Sequence, residues 1–518
     1  MRQGRCQIKY SILCFLGCVC LVCGFFFTGC GKNTAGKVPA NCDAGHLDQN
    51  DDGLCDRCSE SVLVNLDFYA VNDLHGRFAD TDYQPGVDEL TTFLKQAKEG
   101  ENAIVLSTGD MWQGTTESYL TKGFLMTEWM NQVGFAAMTI GGHEFDWGED
   151  GIRENRELAS FPFLGINIYS RETDQQVDYC QSSVTLEVDG AQIGIIGAIG
   201  NCYHSIASEN VKDVYFKNGS ELTDLVKAES QKLRSQGADF IVYTIHDGTD
   251  ITTDAEPVSV EDGTLEKYYD TALSKGYVDL VFEADTHYWY ALQDTQGVYH
   301  LQAGGNNKGL SHAQVLVNKA NGKSQVLTAE LLGNSAYIHG EKDPVVAQLL
   351  DQYEDQIAPA AEIIGSNGQY RNGRGVCQLV ANLYCDAGLE KWGEEYDIVL
   401  GGGYISCRSP GYMPEGQVSY SQLFSLLPFD NKITLCSISG RDLVSKFLET
   451  DQKAYFIKTT QYGEGIRGSI DPDATYYVVT DTYSAYYAAN NMTVIDTYDE
   501  KVFARDLLAE LIAAGGLL

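Results

Sequence analysis

The sequence predicts an α/β protein of two domains, and two observations carry that expectation. Its 518 residues exceed what one hydrophobic core ordinarily organises. Five apolar runs rich in Val, Ile, Leu, Phe and Tyr, at 63–71, 104–107, 136–140, 240–244 and 278–282, have the composition of buried strands. Each run leads into a short polar box. These read Asn72-Asp73-Leu74-His75-Gly76, Gly109-Asp110, Gly142-His143-Glu144-Phe145-Asp146, His246-Asp247-Gly248 and Ala284-Asp285-Thr286-His287. Strand ends that repeatedly deliver Asp and His point to one convergent site at the rim of a sheet. Those residue types in that number mean metal chemistry before anything else.

The N-terminus reads as a targeting segment. Arg2, Arg5 and Lys9 precede an apolar stretch at 12–27, and Thr28-Gly29-Cys30-Gly31 follows. A basic start, an apolar centre and small residues before a cleavage point describe a secretory signal over 1–29, too short in its apolar part for a comfortable membrane span. The Thr-Gly-Cys ending resembles a bacterial lipobox. It implies that Cys30 is the lipidated first residue of a surface lipoprotein, with 30–41 as its tether. The formal charge of −36 argues against a polymeric nucleic acid as partner. It also leaves any anionic substrate dependent on metals and a few arginines.

Residues 42–59 form a small module with two readings. Cys42, His46, Cys55 and Cys58, spaced C-x3-H-x8-C-x2-C, supply four tetrahedral zinc ligands. Asp48-x-Asn50-x-Asp52-Gly53 instead opens like a calcium loop, but its twelfth position is Ser59 rather than a bidentate Glu. Zinc is the favoured reading. So short a segment needs a metal or a bridge to hold a shape. The remaining cysteines, Cys180, Cys202, Cys377, Cys385, Cys407 and Cys436, suggest no particular pairing.

A two-metal phosphoesterase needs divalent ions about 4 Å apart, a bridging carboxylate, and carboxylates and imidazoles to complete each shell. A further His should protonate the leaving oxygen. Asp73 and His75 lie two residues apart and so share one face of an extended segment. The order Asp-x-His, Gly-Asp, Gly-x-His-Glu-Phe-Asp, His, x-x-Thr-His resembles the calcineurin-like metallophosphoesterases. The segments Gly109-Asp110-Met111-Trp112-Gln113-Gly114 and Met130-Asn131-Gln132-Val133-Gly134 narrow the resemblance to the bacterial 5′-nucleotidase family. It implies a four-layer αββα sandwich over 62–335, a linker helix within 340–360 and a smaller α+β domain over 361–518. It further implies that Asp73, His75 and His287 bind a first metal, that Asp110 bridges, and that His246 and Asp285 serve the second. His143 and Asp146 become the catalytic pair, Asp146 orienting the imidazole. Glu144 is expected to face away from the site.

Two positions depart from the family pattern. Gly142 stands where the family has an asparagine ligand, and Asp285 where it has a histidine. The expectation is a weaker second site, shifted toward Mg²⁺, Mn²⁺ or Ca²⁺ and away from Zn²⁺, because oxygen donors are harder than imidazole.

Asp343-Pro344 starts a helical pattern over 345–357, with Asp as N-cap and Pro at the first turn. Beyond it, 378–388, Leu427-Pro428-Phe429-Asp430-Asn431 and a closing helix at 505–513 resemble the C-terminal domain of the same family. That implies aromatic rings around a nucleobase, Phe429 and Tyr483, and arginines on ribose or phosphate, drawn from Arg408, Arg371 and Arg374. The family's Gly-Gly-Asp-Gly after the Tyr483 position is missing, and Arg408 falls late. The expected protein is a monomeric surface hydrolase that releases phosphate from nucleotides by in-line attack of a metal-bound hydroxide, with domain rotation about 340–360. Two alternatives stay open. One is a phosphoesterase for cyclic or sugar nucleotides; the other is a binding protein on a decayed phosphoesterase scaffold.

Overall fold

The computed structural model describes residues 46–80, 85–100, 102–207, 209–248, 277–294, 296–408, 411–448, 455–460, 469–486, 491–498 and 503–517. The signal, Cys30, the tether and Cys42 lie outside the described residues. Among the described residues no helix is long and apolar enough to cross a membrane.

Alternation in the first apolar run builds the centre of the molecule. Strand Leu63–Val71 turns Val64, Leu66, Phe68 and Ala70 to one buried face. It pairs antiparallel with Gly309–Asn318 and parallel with Ala103–Ser107. Ala137–Thr139 and Phe163–Leu164 extend that six-stranded sheet, and Lys323–Gly333 closes its other edge. A second six-stranded sheet runs in the order Trp289–Gln293, Tyr299–Ala303, Leu280–Phe282, Phe240–His246, Ala191–Ile199, Ser183–Val188. Its Ile193, Ile195, Phe240, Val242 and Phe282 share one core with the first sheet, where Phe68 stacks on Phe240 at 5.9 Å.

Helices cover both outer faces. Asp88–Glu99, Phe124–Val133 and Gly148–Leu158 bury their apolar stripes on the first sheet. Gly219–Ser235 lays Leu222, Val226 and Leu233 on the second. The result is the expected α/β/β/α sandwich. In it the strands that carry the polar boxes run parallel and end on one edge, where α/β sheets bind ligands.

Helix Pro344–Gln352 is capped by Asp343, whose carboxylate accepts from the Val345 N–H at 2.9 Å. The predicted helix is shorter than 345–357: it breaks at Tyr353, resumes over Glu354–Ile357 and passes into the turn Ala358–Ala361 at Pro359. Val345, Val346, Leu349 and Tyr353 join the first domain's core, and Lys95 pairs with Asp343 at 2.9 Å. The expected linker helix is therefore packed onto the first domain.

The second domain is a five-stranded sheet in the order Tyr455–Thr459, Ile398–Tyr404, Thr475–Asp481, Ile433–Ser439, Thr493–Thr497. Helices Gly373–Trp392 and Ala504–Ala513 pack into its core through Val376, Val380, Tyr384, Leu508 and Ile512. Gly401 is where helix and sheet touch: a Cβ there would fall 2.3 Å from the Cys385 backbone nitrogen. Cys377 Sγ and Cys407 Sγ lie 3.4 Å apart, a proximity the sequence did not indicate.

Candidate active site

All five boxes meet. His75 Nε2 lies 3.0 Å from His287 Nε2, and His287 Nε2 lies 3.3 Å from Asp73 Oδ1. His246 Nε2 lies 3.1 Å from Asp110 Oδ2. Ligating atoms of Asp73, Asp110 and His246 fall within 4.8 Å of one another, as do those of His75, Asp110 and His143, so Asp110 belongs to both groups. Asp285 sits beside them, its backbone N–H donating to both Asp73 carboxylate oxygens at 3.2 Å.

The local backbone aims these side chains. Asp73, His75, Asp110, Asp285 and His287 have φ of 50°, 50°, 53°, 65° and 56°. Left-handed backbone is uncommon for residues other than glycine and costs about 1–3 kcal/mol each. Five such residues at one point mark a site whose geometry is imposed by its surroundings. The tight approach shows in Gly114, where a Cβ would meet the His75 carbonyl oxygen at 2.5 Å.

Hydrogen bonds orient the imidazoles toward the centre. His75 Nδ1 bonds the Gln113 carbonyl at 3.0 Å and His246 Nδ1 bonds the Thr108 carbonyl at 2.8 Å. A carbonyl only accepts, so each Nδ1 carries a hydrogen and each Nε2 faces inward, the arrangement that metal-ligating histidines use. His246 Nε2 is fully buried and makes no hydrogen bond of acceptable geometry. Burial, reinforced by His287, holds the His75 imidazole down at about 3, so it is neutral. Burial raises Asp285 to about 6, against the pull of His246. Inward-facing Nε2 atoms, one of them buried without an aligned hydrogen bond, and buried carboxylates fit divalent cations.

His143 stands at the edge of this cluster. Its Nδ1 meets Asp146 Oδ2 at 2.9 Å, and its backbone N–H donates to Asp110 Oδ1 at 2.7 Å. Burial opposes its charge, but Asp146 and Asp110 outweigh that and raise it to about 9.

Glu144 corrects an expectation. It does not face away but lies fully buried behind the site, accepting from the backbone N–H groups of Asp110 at 2.9 Å, Met111 at 2.8 Å and Gly141 at 2.7 Å. It thereby sets the turn that presents Asp110. Asn72 was likewise assigned no role; its Nδ2 donates to Asp73 Oδ2 at 2.6 Å and to the Gly304 carbonyl. Neither role is visible in sequence, because both partners are backbone groups or neighbours set by loop shape.

The second domain reaches the same edge. Phe429 stacks on the His143 ring at 5.0 Å and 11°. The Arg408 guanidinium lies 4.9 Å from the Phe429 centroid. Gln113 Nε2 donates to the Pro428 carbonyl at 3.1 Å, and the Tyr119 hydroxyl to Asp430 at 2.7 Å. Tyr483 neighbours Tyr404 at 5.9 Å, and both phenols lie within electrostatic reach of Arg408. Phe429 has His143 as its described ring partner. Tyr404 was not anticipated. Arg371 donates to Asn367 at 3.1 Å and Arg374 lies over Phe456 at 5.4 Å, contacts internal to the second domain.

In the small module, ligating atoms of His46, Cys55 and Cys58 gather within 4.8 Å. Hydrogen bonding, first from the Leu47 backbone, brings the Cys55 thiol down to about 5, which favours the thiolate that binds metal. The calcium-loop oxygens are engaged otherwise: the Asp48 carboxylate accepts from Asp52 N, Gly53 N and Asn318 Nδ2 at 3.1, 3.0 and 2.7 Å. Asp48 thus closes the loop and docks it on the first domain.

A 5′-nucleotidase of Diplobatis ommata is 26% identical to this chain over 414 residues, spanning 73% of it and 69% of that protein. Protein UshA of Yersinia enterocolitica is 24% identical over 505 residues, 85% of this chain and 88% of its own. A solved structure described as a 5′-nucleotidase of Staphylococcus aureus shares the fold with a TM-score of 0.68 at 18% identity, covering 88% of this chain and 98% of that one. No family model matches. The sandwich and its appended domain have the fold of solved 5′-nucleotidases, and the relatives mark the chain as a hydrolase. Over most of its length the chain is similar to proteins of the 5′-nucleotidase kind.

The His143–Asp146 contact has a pH signature. An imidazolium that protonates a leaving oxygen is lost as pH rises through about 9, so activity falls along that limb. Asp146→Asn removes the charge that raises His143, and the descending limb moves to lower pH in a pH–rate profile. An unmoved limb contradicts this role for the pair.

Proposed function

We propose that the chain is a surface-anchored phosphohydrolase of nucleotides. The observation that carries this reading is the buried Asp/His cluster sharing Asp110, with Phe429 and Arg408 of the second domain packed at its edge. Asp73, His75 and His287 would hold one divalent cation, Asp110 would bridge, and His246 and Asp285 would hold a second. When bound, such ions neutralise the phosphate and lower the pKa of a water.

The chain's own groups do the rest. Arg408 offers a planar guanidinium for phosphate oxygens. Phe429, Tyr404 and Tyr483 form an aromatic wall, which suits a nucleobase because every base presents a π-face. His143 stands ready to give its proton to the departing ribose oxygen, with Asp146 keeping Nδ1 oriented. Phe429, packed on His143, braces that imidazole from the side of the second domain. Relatives named as 5′-nucleotidases support nucleotides as the substrate class. The basic and apolar leader ending in Thr28-Gly29-Cys30 supports secretion and lipid attachment, and the grouping of His46, Cys55 and Cys58 supports a structural zinc in the module, with Cys42 as the fourth ligand.

Phosphate release from AMP, a cyclic nucleotide, a UDP-sugar and p-nitrophenyl phosphate, each with Mn²⁺, Mg²⁺, Ca²⁺ and Zn²⁺, tests the activity. AMP turnover that falls about 100-fold or more in His143→Ala is the expected result. Tight nucleotide binding without turnover would replace the enzyme with a binding protein. Cells fed a clickable palmitate should label the wild-type protein and not Cys30→Ala; equal labelling rejects the anchor. Cys55→Ser should lower bound zinc by one ion per chain by elemental analysis, and an unchanged count rejects the module's metal.

A further inference from the structure

At the second metal position two donors implied by the resemblance are gone, an asparagine at Gly142 and an imidazole at Asp285, and a thiol borders the gap. Cys202 lies in the short turn Asn201–Ser205, directly after strand Ala191–Ile199. That strand runs parallel to Phe240–His246 with Ile199 opposite His246, so the turn is laid beside the imidazole. Cys202 Sγ donates to the His246 carbonyl at 3.3 Å. Its sulfur, a ring nitrogen of His246 and a carboxylate oxygen of Asp285 all fall within 4.8 Å of one another. A Cβ built on Gly142 would stand 3.9 Å from this sulfur and 4.0 Å from Asp110 Oδ1. The thiol therefore lines the space an asparagine at 142 would enter.

A buried cysteine is ordinarily a small apolar filler. Cys202 does touch the apolar core, but the carboxylates of Asp285, Asp247, Asp110 and Asp73 all act on it. An apolar filler has no reason to sit among four acids at a strand end. We propose that Cys202 is the fourth donor of the second metal position, completing a set of Asp110, His246, Asp285 and Cys202. This rests on the metallophosphoesterase reading above. On binding, the thiol proton leaves to solvent and the thiolate coordinates. Thiolate and imidazole favour Zn²⁺ and similar soft ions over Mg²⁺ and Ca²⁺. The preference is thus the reverse of the one expected from Gly142 and Asp285 alone.

The full chain is stripped of metal and reloaded with Co²⁺, whose bonds to thiolate give a charge-transfer absorption that oxygen and nitrogen donors do not. Cys55 and Cys58 contribute their own band, so the readout is the difference between wild type and Cys202→Ser. The expected result is a thiolate band lost in Cys202→Ser, together with zinc affinity at that position weakened about tenfold or more. Adding Gly142→Asn to Cys202→Ser should restore the ion without restoring the band. Cadmium NMR of the unmutated chain gives the same answer with no substitution: a resonance at this position shifted by one sulfur donor supports the proposal. A resonance in the oxygen–nitrogen range, or a flat difference spectrum with the second ion still bound, overturns it. If Asp110→Asn retains every ion that wild type holds, the metal reading falls as well.

Discussion

Asp110 is the residue through which the two sheets are coupled. It is buried, its carboxylate accepts from the His143 backbone on the first sheet's side, and it faces His246 from the second sheet at 3.1 Å. A buried carboxylate without compensation is expensive by several kcal/mol, so the fold must surround it with donors or cations. Burial alone would discharge His246; the facing Asp110 instead raises it well above the usual imidazole range. Bound cations would replace that proton. Glu144 makes the arrangement rigid by holding the Asp110, Met111 and Gly141 N–H groups with one carboxylate.

That coupling explains why strain is tolerated here. Left-handed backbone at Asp73, His75, Asp110, Asp285 and His287 is held in place by the apolar layer between the sheets, where Phe68, Phe240 and Phe282 pack. The core fixes the ends of the strands, and the strand ends leave the boxes no relaxed alternative. The second domain adds to the same edge. Arg505, buried with its guanidinium 2.6 Å from Asp430, braces the Leu427-Pro428-Phe429-Asp430 segment that sets Phe429 against His143. With 36 basic against 72 acidic residues, the chain repels anions at a distance, so Arg408 and the proposed cations must act locally.

Strand identity, helix capping at Asp343 and the convergence of the boxes were legible in the sequence because each depends on local pattern. Alternation sets which face of a strand is buried, and the order of the boxes carried the family resemblance. Less was legible where partners are distant. Glu144 looked like an outward acid because its partners are backbone groups of other turns. Phe429 could be named, but its stacking on His143 depends on how two domains meet. Arg408, late by sequence position, still reaches Phe429, and its backbone N–H bonds the Leu426 carbonyl at 2.9 Å.

Fold class, strand ends and nearly every candidate ligand can be read along the chain, because side-chain chemistry and period are local properties. How the second metal position is furnished cannot. Gly142 and Asp285 read as losses when taken one position at a time. A parallel strand pair then lays Cys202 beside His246, 44 residues away in sequence, because Ile199 and His246 share one register. Register between strands is a long-range packing outcome, set by which faces the two sheets bury, and no spacing within the sequence reports it.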